Sequence, residues 1–115
     1  SWLALFGDET AMPVIMRIIE DAPKGTQGLA VLALRDDADL QPLPKESEIT
    51  VTKVDMADPD ALLWALEAAS VPPAGDRHIF FAAERGQAAK AREVYRERGF
   101  ASSEAKAASY WSRAA

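Results

Sequence analysis

Gly7-Asp8-Glu9-Thr10 is the segment whose residue types and spacing bear most directly on chemistry. It follows an apolar run, Trp2 to Phe6, and precedes an apolar-periodic stretch from Met12 to Asp21. A glycine between strand and helix lets a ligand approach the backbone closely. The helix start beyond it offers unpaired N–H groups and positive potential to an anion. Thr10 adds a hydroxyl able to reach a phosphate or a ribose. Asp8 and Glu9 work against this, because carboxylates repel a pyrophosphate. Two arrangements reconcile them: the acids bond the helix N–H groups and fix the loop, or one of them accepts from a carboxamide or from ribose hydroxyls. A capped helix with no ligand accounts for the same residues.

A second charged corner stands at Glu84 and Arg85, after a later apolar run. An arginine at a helix start presents a planar fork suited to a phosphate, and Glu84 is an acceptor suited to a carboxamide. An exposed pair that only supports its helix is the plainer alternative. Arg35, Asp36 and Asp37 end another strand. There the cation favours a 2′-phosphate and the acids favour free ribose hydroxyls, so the choice between NADPH and NADH stays open. Tyr110 and Trp111 are either packing or cofactor contacts. The single histidine, His78, sits inside a strand and makes a metal site or a triad improbable, and Ser102, Ser103 and Ser109 have no base beside them.

The elements that must hold these corners follow from hydrophobic periodicity. Continuous apolar runs at Trp2 to Phe6, Leu29 to Leu34 and His78 to Ala83 read as strands covered on both faces. Ile49 to Val54 alternates more and reads as a strand nearer the edge, and the segment through Tyr110 and Trp111 as a last short strand. Helices are expected from Met12 to Asp21, with Pro13 in its first turn and Thr10 or a neighbour as cap, and after Asp58 as cap with Pro59 in the first helical position. A third spans the segment after Glu84 and ends at Gly99. Its Lys90, Arg92, Arg96 and Arg98 read as a solvated basic face. The order β-α-β-β-α-β-α-β implies an α/β fold: an open, mainly parallel five-stranded sheet with helices on both faces. In such sheets ligands bind at the carboxyl ends of the strands where strand order reverses, here the crevice between the first and fourth strands.

The 115 residues suffice for one domain, and 49% of them are apolar, as in ordinary globular proteins. A net charge of 13 − 18 = −5 gives the surface as a whole no affinity for nucleic acid or anionic lipid. The absence of cysteine excludes disulfides, thiol nucleophiles and cysteine-rich zinc sites, and is compatible with a cytoplasmic location. No run is long enough to cross a bilayer as a helix. The sequence opens at Ser1, directly on an apolar run, which suggests a piece of a longer or processed protein.

Three segments carry a family resemblance. GDETAMP (7–13) resembles the G-D-E-T-A-x-P signature of the siderophore-interacting proteins, the NAD(P)H-dependent ferric-siderophore reductases of the ferredoxin-reductase superfamily. FFAAERG (80–86) resembles their A-G-E segment, with Ala83 in place of the glycine, and SYWSR (109–113) resembles their terminal Y-W-x-R. The resemblance implies that residues 1–115 form one NAD(P)H-binding domain of ferredoxin-reductase type. Its partner would be a flavin-binding barrel carrying FAD, in cis or in trans. It also implies a cofactor site drawn from Gly7, Asp8, Glu9, Thr10, Arg35, Ala83, Glu84, Arg85, Tyr110 and Trp111. There NADPH or NADH would be oriented to pass hydride to FAD, and electrons would then reduce Fe(III) in a siderophore. No acid, base or metal ligand is implied in this half, and the half alone would be inactive. The alternative is a stand-alone, non-catalytic module of the same fold that binds nucleotide or protein. A receiver domain fits less well, because Ala82-Ala83-Glu84 supplies no lysine at the fourth strand end.

Overall fold

The computed structural model describes residues 1–35, 48–73 and 75–112. Trp2–Asp8 forms β1, Met12–Asp21 α1, Gln27–Leu34 β2 and Glu48–Asp55 β3. Ala61–Ala68 forms α2, Arg77–Glu84 β4, Arg85–Arg98 α3 and Ala105–Trp111 β5. The five strands make one sheet in the order β3-β2-β1-β4-β5, and all four neighbouring pairs are parallel. β1 is central: Phe6 lies beside Val31 of β2 on one side and Phe81 of β4 on the other. The chain first steps outward through β2 and β3, then returns across β1 to lay down β4 and β5. Strand order therefore reverses between β1 and β4, as the sequence pattern implies.

The interior strands are apolar throughout because each faces a helical layer on both sides. Phe6, Val31, Ala33, Ile79 and Phe81 meet Leu62, Leu63 and Leu66 of α2 and Ala91, Val94 and Tyr95 of α3. Leu5, Ala30, Leu32, Leu34 and Ala82 meet Met12, Ile15, Met16 and Ile19 of α1. Full burial of each large aliphatic or aromatic side chain contributes about 1.5–3 kcal/mol. A slip of one residue in any of these strands would still bury apolar groups, so register must be held at the strand ends.

Three local expectations are corrected. α2 begins at Ala61 rather than Pro59, because the Asp58 carboxylate accepts the N–H of Asp60 at 3.0 Å and turns the chain before the helix starts. α1 has Ala11 at its N-cap and no side chain capping it, so Thr10 does not serve there. On α3, Arg92 and Arg98 are not simply solvated. Arg92 donates to the Ala107 carbonyl of edge strand β5 (2.8 Å), and Arg98 to the carbonyls of Leu66 and Ala69 at the end of α2 (2.8 Å each). The Gly99 expectation holds: its φ of 75° is the left-handed conformation that stops α3, and its N–H returns to Arg96 and Tyr95. Among the described residues no helix is long and apolar enough to cross a membrane.

Candidate functional site

Asp8 is the last residue of β1 and only 3% exposed. Its Oδ1 accepts from the N–H of Thr10 at 3.0 Å and from the Thr10 hydroxyl. Its Oδ2 accepts from the indole Nε1 of Trp111 at 2.7 Å. Trp111 ends β5, which is two strands away from β1 across β4, so the indole reaches over the carboxyl end of β4 to make this bond. A register irregularity at Ala83/Glu84 sets Trp111 opposite Glu84. The expected crevice between β1 and β4 is thus bridged by a side chain from the fifth strand.

Glu9 turns the other way. Its Oε1 accepts from the backbone N–H of Arg35 at 2.9 Å, and its carboxylate pairs with the Arg35 Nε (3.2 and 3.3 Å) and Nη2 (3.1 Å). The two acids of the β1 turn therefore join strand ends, Asp8 to β5 and Glu9 to β2. Glu84 is likewise engaged by its own chain. It caps α3 by accepting from the N–H groups of Gly86 (2.8 Å) and Gln87 (3.2 Å), and the Gln87 side chain accepts from the Glu84 N–H in return. Gln87 also donates to the Pro59 carbonyl at 2.7 Å, tying α3 to the approach to α2.

A cleft of about 570 Å³ opens beside this joint, over the carboxyl ends of β1, β2 and β3. Asp8, Ala33, Arg35 and Trp111 form one wall; Asp55, Met56, Asp58, Pro59, Leu62 and Gln87 form the other. Asp55 and Asp58 are each fixed by a turn: their Oδ1 atoms accept from Ala57 N (2.9 Å) and Asp60 N (3.0 Å). The cleft can hold a flat ring against Met56, Leu62 and Trp111 while the carboxylates accept hydroxyls. Among the described residues no group of three or more acids or histidines is gathered to hold a metal. The chemistry on offer is binding and orientation.

Of the residues singled out in the sequence, the cleft brings together Asp8, Arg35 and Trp111, with Glu9 attached through Arg35 and Glu84 through Gln87. It does not gather the rest. A Cβ on Gly7 would lie 2.5 Å from Ile15 Cδ1 and 2.9 Å from Ala11 Cβ, so α1 fills the space a ligand was expected to use. Ala83 is fully buried among the residues under α2 and α3. Thr10 faces Asp8, Arg85 is exposed at the start of α3, and Tyr110 is 39% exposed outside the cleft. Asp36, Asp37 and Arg113 lie outside the described residues. Sequence reasoning missed Asp55, Met56, Asp58 and Gln87. The available signal was the acid spacing in VDMADPD at a third strand end, which reads at first as helix capping alone.

A parallel five-stranded sheet layered on both faces, with a cleft at the carboxyl edge beside the point of reversal, defines an α/β domain with a ferredoxin-reductase-like fold. The family model described as siderophore-interacting protein matches residues 1–114, and the chain belongs to that family. Similar solved structures include the siderophore-interacting protein SipS from Aeromonas hydrophila, with a TM-score of 0.84 and 21% identity over 98% of this chain and 51% of that one. A siderophore utilization protein from T. fusca has a TM-score of 0.83 and 30% identity over 99% of this chain and 46% of its own. The siderophore-interacting protein from Acinetobacter baumannii matches with a TM-score of 0.83 and 19% identity, over 96% and 45%. The chain spans about half the length of each. No curated protein matches it.

Proposed function

We propose that this domain is the pyridine-nucleotide half of a flavin-dependent ferric-siderophore reductase, binding NADPH or NADH in the cleft at the carboxyl edge of the sheet. The observation that carries the reading is the cleft itself, which joins the ends of β1, β2 and β3 to Trp111 in a chain of the siderophore-interacting family. Its donor set suits a nucleoside. Met56, Leu62 and Trp111 give a ring an apolar surface, Asp55 and Asp58 accept ribose hydroxyls, and Arg35 supplies positive charge. The diphosphate receives less, because the α3 start is capped by Glu84 and the Thr10 N–H before α1 is held by Asp8. It would lie toward solvent at the mouth of the cleft.

Bound there, the reduced nicotinamide would supply a hydride for a flavin, whose single electrons reduce Fe(III) held by a siderophore and so loosen the chelate. The residues of this chain bind and orient; none has to take or give a proton. The flavin would sit on a barrel domain, in the same protein or a separate one, in line with relatives about twice as long. A cytoplasmic location follows from the supply of reduced nucleotide in that compartment.

Tryptophan fluorescence tests the reading, since Trp111 lines the cleft. Titration with NADH and with NADPH should give a saturable change below about a millimolar, largely lost in Trp111→Phe. No saturable change with either nucleotide, on this domain and on the flavin-containing protein, would overturn the assignment. Binding without a flavin domain in the parent protein would favour the stand-alone module instead.

A further inference from the structure

Resting on the nucleotide reading above, we infer that Glu9, by engaging Arg35, acts together with Asp55 and Asp58 to make the cleft select NADH over NADPH. The two cofactors differ by one group, a 2′-phosphate in place of a ribose hydroxyl. A phosphate dianion needs an available cation; a hydroxyl needs a fixed acceptor.

Arg35 is the single cation among the described residues that line the cleft. Three of its donors, the backbone N–H, Nε and Nη2, face the Glu9 carboxylate at 2.9–3.3 Å. The guanidinium edge best shaped for a bidentate phosphate is therefore occupied and its charge offset in place. Opposite stand Asp55 and Asp58. Each has one oxygen fixed on a backbone N–H, while Oδ2 makes no hydrogen bond with the described residues. These are pre-oriented acceptors whose negative charge opposes a phosphate and suits a hydroxyl. Asp8 adds a third carboxylate to the lining.

The test is the ratio of dissociation constants for NADH and NADPH, read by calorimetry on the domain, with ADP-ribose and its 2′-phosphorylated form as flavin-independent probes. NADH should bind at least about tenfold more tightly, and the same order should hold for the ADP-ribose pair. Glu9→Gln releases Arg35, and Asp58→Asn keeps the turn acceptor while removing charge. Each should narrow the ratio to about threefold, mainly by improving the phosphorylated ligand, with an unchanged circular dichroism spectrum. NADPH binding as tightly as NADH, or a ratio unmoved in folded Glu9→Gln and Asp58→Asn, overturns the inference and leaves the nucleotide site standing. Failure of all four ligands to bind overturns both.

Discussion

Replacing Trp111 by Phe removes one N–H donor from Asp8 and keeps an aromatic ring at the end of β5. Asp8 is 3% exposed and accepts from Trp111 at 2.7 Å, so water has little access to replace that donor. The Thr10 N–H and hydroxyl remain on the other oxygen and keep the carboxylate from being left bare. A hydrogen bond to a charged group contributes about 1.5–3 kcal/mol, and the partial satisfaction by Thr10 sets the expected cost of Trp111→Phe near 2 kcal/mol. Asp8→Asn should cost a similar amount, since an amide has only one acceptor oxygen for donors that arrive on both sides. The two changes interrupt the same bond. The double variant should therefore lose about 2 kcal/mol less than the sum of the singles. Urea denaturation followed by circular dichroism measures all three, independently of the lost fluorophore. A coupling below about 0.5 kcal/mol would refute the argument that this bond ties the fifth strand to the first.

Gly7→Ala places a methyl 2.5 Å from Ile15 Cδ1 and 3.1 Å from the Ala82 carbonyl, which forces α1 away from β1 and should cost about 1–3 kcal/mol. Adding Ile15→Val removes the nearest atom, and the urea midpoint should partly recover; no recovery would locate the strain elsewhere. At the opposite end of the sheet, the hydrogen bond from Arg77 at 2.7 Å, then that from the Ala101 N–H, hold Glu104 below its ordinary pKa of 4.5. A lowered folded value means that the contribution is complete above 4.5 and is lost as pH falls through the folded value. Glu104→Gln should accordingly flatten the fall in melting temperature between neutrality and about pH 3, and an unchanged slope would show that the carboxylate is not engaged in solution.

The layered sheet was readable because its causes are local. Trp2–Phe6 and Leu29–Leu34 have no polar face to offer solvent, so each had to be an interior strand, and both are. Gly99 marks the end of α3 because few other residues adopt its backbone conformation without strain. What escaped reading was competition among local bonds and contacts between distant residues. Asp58-Pro59 has the composition of a helix start, yet the Asp58 carboxylate reaches Asp60 first and makes a turn. Arg92 and Arg98 have helix neighbours that look like salt-bridge partners, but they bond carbonyls 15 and 29 to 32 residues away.

The site divides along the same line. Topology alone directs attention to the carboxyl edge beside β1, because the reversal of strand order leaves no helix directly over that point. It does not say which gap along the edge stays open. That depends on how far one large side chain reaches, and Trp111 reaches across β4 because of the irregularity opposite Ala83 and Glu84. With that gap bridged, the open space falls over β1, β2 and β3, where Asp55 and Asp58 stand. The acids of the β1 turn must therefore be interpreted through their partners. Left facing outward they would repel a dinucleotide; bonded to an indole and a guanidinium they act as a joint between three strand ends. Ligand-facing carboxylate oxygens are then found where the local turn uses only one of the two, which is the case at Asp55 and Asp58 and not at Asp8.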